Sequence, residues 1–270
     1  MPPPPTPRYT RSALVSIITQ FYTFLTTLHI PPSSLKHPPP GGWPSITLET
    51  TKGFNKAPLV IDLIKHLPYI DETHAGEGIT NIHFQSDVID WSVRTPEQFT
   101  EEGDPKSEYG PRGEQGVRYE IEERGEEEEE EDEDDDDDGE WHCWHWDEGP
   151  VKTDLPNFIA LAEGYESGGR DIVLDVYKGV IYEDEIRVNE YGPIDVGDYF
   201  NALRKKFETL ELVPVRGRTF ECRGEDDGSD YKRGVEEYKE IYRSYGWPGE
   251  GFRKEEALAA IEECRKRRGD

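Results

Sequence analysis

The side chains best suited to chemistry stand together in a short aromatic stretch, residues 141–146. It contains His142, Cys143 and His145, and imidazole and thiolate groups are good zinc ligands. However, the two histidines are three residues apart, and no second Cys/His pair lies at the spacing of a zinc finger. If the stretch is extended, His142 and Cys143 point to opposite faces. We therefore interpret it as an aromatic strand with two ordinary histidines, and we expect neither a metal nor another cofactor.

A nucleophilic role for the Cys143 thiol is a second reading of the same stretch. No local signature pairs it with a histidine, and the acidic residues before it would raise rather than lower the thiol pKa. We interpret Cys143 as a buried, inert thiol. The other cysteines, Cys222 and Cys264, are far away in the sequence. So few, widely spaced cysteines indicate reduced thiols, which is typical of a cytoplasmic or nuclear protein.

Carboxylates offer another possible site, at Asp175, Glu183, Asp184 and Glu185. A pair of carboxylates at the right separation can hydrolyse a glycosidic bond. The chain has 59 acidic residues, so some fall close together by chance. We predict that Asp184 and Glu185 are surface groups of a hairpin. A hydrolase or transferase whose site assembles from dispersed carboxylates, histidines and cysteines stays the alternative function.

The glycine-rich residues 164–169 resemble a phosphate-binding loop only in composition. They lack the Gly-Lys-Ser/Thr ending of such a loop, and the Glu166 carboxylate would repel phosphate. We predict a turn that precedes a strand.

An unbroken run of thirteen acids begins at Glu126 and ends at Asp138. The net charge is −28, which leaves −15 for the rest of the chain. Such a charge repels nucleic acid and anionic membranes, and it attracts basic proteins. The run has two interpretations: a solvated spacer, or a mimic of nucleic acid that binds a basic protein. It lies in residues 97–140, which lack periodicity and which we expect to be a largely disordered insertion.

The elements that must position these groups are clearest in residues 156–214. An apolar helical turn is predicted at 158–162. A strand over 171–177 is predicted to turn at Lys178 and Gly179 and run back from residue 180. Asp195 is predicted to cap a helix that ends before Pro214. The apolar stripe of that helix is Val196, Tyr199, Phe200, Leu203, Phe207 and Leu210.

Four further helices are predicted, at 12–30, 59–67, 230–245 and about 253–267, with an extended stretch at 82–91. Polar residues interrupt the 12–30 helix, so it fits packing on a core better than crossing a membrane. Residues 215–229 are predicted to be a loop. In the proline-rich residues 31–46 we interpret Trp43 as packing on the folded body, with a polyproline ligand as the alternative.

Together these elements predict one α+β domain with a mixed or antiparallel sheet and flanking helices. A proline-rich lead-in occupies residues 1–11, and the first helices and strand occupy 12–96. The acidic insertion occupies 97–140, and the core with its C-terminal helices occupies 141–270.

The order of residues 156–214 resembles the SUKH superfamily, which includes the fungal cell-wall-synthesis regulator and many bacterial immunity proteins. The resemblance is carried by residues 157–161, the glycine-rich 164–169, the strand with Asp175 near Gly179, and residues 199–207. It implies an α+β fold and a protein-binding role. Residues 42–44, 66–69 and 245–248 are also similar to uncharacterised fungal proteins.

We therefore expect a non-enzymatic interaction or regulatory module that binds a protein partner, with a basic protein as the candidate, and that has neither nucleic acid nor a membrane as partner. The acidic run is one candidate for the interaction. The other candidate residues are Trp43, Trp141, Trp144, Trp146 and Asp175.

Overall fold

An antiparallel sheet of six strands dominates the part of the chain that the structure describes. The computed structural model describes residues 6–71, 80–101, 155–165, 167–185, 189–215, 218–222 and 229–269. The six strands lie side by side in chain order: β3 (Asn81–His83), β4 (Ser86–Val88), β5 (Phe158–Gly164), β6 (Arg170–Asp175), β7 (Val180–Glu185) and β8 (Asn189–Asp195). Two smaller antiparallel pairs join β1 (Leu35–Lys36) to β2 (Tyr69–Ile70), and β9 (Leu212–Val215) to β10 (Arg218–Glu221).

Helices flank this sheet, which confirms the α+β class and the antiparallel option. Within the described residues they are α1 (Arg11–Leu28), α2 (Pro58–Ile64), α3 (Pro96–Glu101), α4 (Val196–Glu208), α5 (Asp230–Ser244) and α6 (Lys254–Arg268). None of the helices in these ranges is long and apolar enough to cross a membrane.

The predicted helical turn at 158–162 is wrong, because these residues belong to strand β5. β5 lies between β4 and β6 and is covered on both faces, so its side chains are apolar almost without interruption. Ile159 joins the main core, whereas Phe158 and Ala160 pack on the opposite face with Val173. A short apolar run of this kind fits a buried strand and a helix equally well.

The predicted helix after Asp195 is confirmed as α4. The Asp195 carboxylate accepts a hydrogen bond of 2.9 Å from the Gly197 amide, as an N-cap residue does. The whole predicted apolar stripe is buried. Phe200 lies against Phe21 of α1, with 4.9 Å between the ring centroids, so both helices pack on the core face of the sheet.

The predicted loop at 215–229 is wrong in its first part, where β9 and β10 form a hairpin. Pro214 lies inside β9, and Phe220 of β10 is buried against Tyr238 of α5. Arg218, Thr219 and Glu221 give β10 a polar sequence, which hid the strand.

The extended stretch predicted at 82–91 is a tight hairpin of β3 and β4, with Gln85 at a φ of 45° in its turn. The predicted insertion also begins too early. Residues 96–101 form α3, whose Phe99 is fully buried and lies 5.0 Å from Phe54 between ring centroids. The rest of the 97–140 prediction lies outside the described residues.

Candidate functional site

Asp175 is buried at the end of β6 and holds the β6–β7 turn. Its Oδ1 atom accepts hydrogen bonds from the backbone amides of Tyr177 (3.0 Å) and Lys178 (2.9 Å), and the Gly179 amide donates to its carbonyl oxygen. Gly179 has a φ of 65°, which favours glycine. The carboxylate is therefore engaged by the predicted hairpin turn.

Trp43 packs on the folded body, as the connector interpretation predicts. Its indole nitrogen donates a 2.8 Å hydrogen bond to the Leu67 carbonyl, and its ring lies 5.9 Å from that of Tyr69. The Lys36 ammonium lies 5.8 Å from the ring centroid.

The other predicted candidates lie outside the described residues. These are Trp141, Trp144, Trp146, Glu126 and Asp138, together with the possible ligands His142, Cys143 and His145.

The densest group of charges within the described ranges surrounds Arg170, whose side chain is only 1% exposed. Its Nε atom lies 2.9 Å from Glu183 Oε1, and its Nη1 atom lies 2.9 Å from Glu185 Oε1. Its Nη2 atom donates a 3.0 Å hydrogen bond to Glu221 Oε2, and Nη1 also donates to the Gly168 carbonyl. We call Arg170, Glu183, Glu185 and Glu221 the Arg170 cluster.

The cluster corrects the prediction that Glu185 is a surface group, because its side chain is 3% exposed. Along β7, Glu183 and Glu185 fall on the same face as Ile181, and that face points into the core. Arg170 likewise falls on the face of Ile172 in β6. This alternation is readable from the sequence, and it is the signal that could have located the cluster.

Two helix residues and a strand residue surround the carboxylates of the cluster. The Tyr199 hydroxyl donates a 2.7 Å hydrogen bond to Glu183 Oε2. Lys206 Nζ lies 3.8 Å from Glu221 Oε1, and His83 Nε2 lies 3.9 Å from Glu183 Oε1. The site thus joins β3, β6, β7, α4 and β10.

Burial controls the protonation of these groups. It lowers the pKa of His83 well below its usual value, and the nearby Lys206 and Arg170 charges lower it further. The neutral ring carries its proton on Nε2, since Nδ1 accepts a 2.7 Å hydrogen bond from the Phe84 amide. Burial also raises the pKa of Glu221, while Arg170 and Lys206 oppose that rise. Burial and the Glu183 charge raise the pKa of Tyr199.

The Arg170 cluster is a buried ion-pair network that links the sheet to the β9–β10 hairpin. Each of its three carboxylates is within 3.0 Å of a guanidinium nitrogen. Such a network is strongly destabilised when one partner is removed, because an uncompensated charge stays buried. Across the described residues, no group of three or more His, Cys, Asp or Glu side chains is arranged to hold a metal ion.

A second feature lies where the chain leaves the described residues before the acidic run and where it returns. The Thr100 hydroxyl of α3 donates a 3.0 Å hydrogen bond to the Lys52 carbonyl. On the return, the Pro156 carbonyl accepts a 2.8 Å hydrogen bond from the Ala57 amide. One segment, residues 52–57, therefore holds both ends of the interval that contains the run.

Comparisons with other proteins assign no family to the chain. No protein-family model, curated protein or solved structure matches it significantly.

Proposed function

We propose that the protein is a non-enzymatic interaction module that binds a basic protein partner through its acidic run. The observation that carries the proposal is the anchoring of both ends of this interval on residues 52–57. Thirteen adjacent carboxylates belong to a connection between neighbouring antiparallel strands, β4 and β5, of one folded body. The interval that contains the run therefore begins and ends beside the same segment of the folded body.

The physical chemistry of the run supports a binding role. Burying unpaired carboxylates is prohibitively costly, so the run needs either water or cations around it. A basic protein supplies such cations, and the rest of the chain, at −15, steers it in the same direction. The same charge opposes binding to nucleic acid.

The state of the buried carboxylates supports this proposal over the hydrolase or transferase alternative. Glu183, Glu185 and Glu221 are each bound by Arg170 in the core. Two carboxylates that work on a glycosidic bond must instead flank the substrate. Membership of the SUKH superfamily stays a prediction, and the protein-binding role that it implies agrees with this proposal.

The proposal is tested by replacing residues 126–138 with a Gly/Ser linker and titrating both proteins by calorimetry with a lysine-rich peptide whose other residues are serines, so that it has no apolar side chain. We expect the replacement to abolish binding, and we expect wild-type binding to weaken as salt rises from about 0.05 to 0.3 M, because exposed charges are then screened. A variant with the thirteen acids in scrambled order is the control, and it should bind like the wild type. Equal binding by the wild type and the Gly/Ser protein would overturn the proposal.

A further inference from the structure

A groove runs between the outer sides of α5 and α6, away from the Arg170 cluster. Its volume is about 700 Å³, which is within the usual range of ligand pockets. Ile241 and Ala260 are half-buried along it, and Cys264 is buried. These three side chains give the groove an apolar floor.

The walls of the groove carry carboxylates. Glu240 of α5 and Glu263 of α6 are exposed at its edges, and neither makes an ion pair with any residue that the structure describes. A third carboxylate, Glu237, accepts hydrogen bonds from Arg267 Nη2 (3.0 Å) and the Cys264 thiol (3.2 Å). Arg268 Nη1 also lies 3.7 Å from Glu237 Oε1, so two guanidiniums offset this carboxylate, and Glu240 and Glu263 make the groove negative.

The basic last turn of α6 does not neutralise the free carboxylates, because its cations have other acidic partners. Arg265 and Lys266 lie 3.1 and 3.5 Å from Glu262 oxygens. Arg267 pairs with Glu237 at 3.0 Å, and Arg268 lies 3.3 Å from an Asp230 oxygen and 3.7 Å from Glu237. The charge of Glu240 and Glu263 is left for an external cation.

We propose that this groove is a second docking surface for the basic partner. It receives a segment that places an apolar side chain on the Ile241–Ala260–Cys264 floor and lysine or arginine side chains beside Glu240 and Glu263. The inference rests on the proposed function and gives the partner a second requirement, an apolar residue flanked by cations. A second copy of the chain does not fit, because each copy carries −28.

The test uses the protein in which a Gly/Ser linker replaces residues 126–138, so that the run contributes no binding. The probe is a fluorescein-labelled, amidated helical peptide of leucine and lysine, titrated by fluorescence anisotropy. The groove variant is Glu240→Lys/Glu263→Lys. The control variant, Glu49→Lys/Glu250→Lys, makes the same change in net charge with exposed glutamates outside the groove.

We expect the groove variant to bind about tenfold more weakly, since two favourable charge pairs become repulsive, and the control to change by less than about threefold. A probe with serine in place of leucine should lose affinity for the unmodified groove. Ala260→Phe, which fills the floor without a change of charge, should weaken binding as well. Circular dichroism checks that each variant is folded.

Equal losses in the groove and control variants would show that net charge alone drives binding and would overturn the groove proposal. No binding by the Gly/Ser protein, with the wild type still binding the peptide, would also overturn it and leave the proposed function standing. Equal binding of the serine–lysine probe by the Gly/Ser and wild-type proteins would overturn the proposed function. The groove proposal would then still be decided by the affinities of the groove and control variants for the leucine–lysine probe.

Discussion

The protein contains two dense groups of carboxylates, one paired with a cation that the fold holds and one without a basic residue in its own sequence. Glu183, Glu185 and Glu221 converge on the buried Arg170 guanidinium. The thirteen acids from Glu126 to Asp138 contain no basic residue in their own sequence. The same functional group therefore serves the structure in one region and, by our proposal, attracts a partner in the other.

The difference shows that the charge of an acidic side chain does not indicate its role. In β7, Glu183 and Glu185 occupy inward positions, and the fold supplies Arg170 to pair with them. In the run, every position is acidic, so its sequence has no alternation of apolar and acidic residues that would mark an inward face. To tell a buried, paired carboxylate from one in an acidic run, a prediction needs the strand register of the acidic residues as well as their number.

The largest expected effect is that of Arg170→Met, which removes the cation and leaves three buried carboxylates. We expect the free energy of unfolding to fall by about 3–5 kcal/mol. The control is Arg233→Met, which removes an exposed ion pair with Asp230 and should cost less than about 1 kcal/mol. Urea denaturation measures both. Similar losses in the two variants would contradict the comparison.

The Tyr199→Phe variant is expected to have the next largest effect. It removes the hydroxyl that donates to Glu183 Oε2 and keeps the buried ring. Loss of a hydrogen bond to a charged group should cost about 1.5–3 kcal/mol. An unchanged denaturation midpoint would show that Glu183 does not need this donor.

A third prediction uses pH to separate the buried groups from the run. Burial lowers the pKa of His29 to about 4, and its Nδ1 atom is buried without a partner. A histidine whose pKa is lowered by folding contributes its full stability at pH values above the unfolded pKa near 6.5. This contribution is lost as pH falls toward the folded pKa of about 4, because the unfolded chain then takes up a proton that the folded protein does not. We expect up to about 2 kcal/mol to be lost from His29 between pH 7 and 5, and His83 acts in the same direction.

The control for this pH effect is the Gly/Ser protein, which has the same two histidines. Its loss of stability between pH 7 and 5, measured by urea denaturation, should match that of the wild type. A much smaller loss in the Gly/Ser protein would place the pH dependence in the run.

The smallest expected effect on stability is that of the Gly/Ser replacement itself. Loop-closure entropy depends weakly on the composition of a connection of fixed length, and repulsion between the acids is relieved. We expect the melting temperature to stay constant or rise slightly. Loss of the folded circular-dichroism signal would show that the run is part of the structure.

The sequence predicted α4 well and the Arg170 cluster not at all, for different physical reasons. An amphipathic helix shows its stripe and its Asp195 cap locally, without knowledge of its neighbours. β5 was missed because a strand covered on both faces loses the alternation that marks a strand. β10 was missed because Glu221 makes its ion pairs with Arg170 and Lys206, which belong to other elements of the chain. Asp175 was correctly placed near the turn, whereas only the structure shows that its carboxylate accepts hydrogen bonds from the amides of that turn.

The most direct test of the central claim measures stability and peptide affinity in the same two variants, Arg170→Met and the Gly/Ser replacement. Urea denaturation and calorimetry with the lysine-rich peptide provide the four values. Both are measured at low salt and at a temperature below the thermal unfolding range of Arg170→Met. We predict that Arg170→Met loses about 3–5 kcal/mol of stability and keeps its affinity for the peptide. The Gly/Ser protein should keep its stability and lose binding. Retained binding in the Gly/Ser protein, or an Arg170→Met protein as stable as the wild type, would contradict the account.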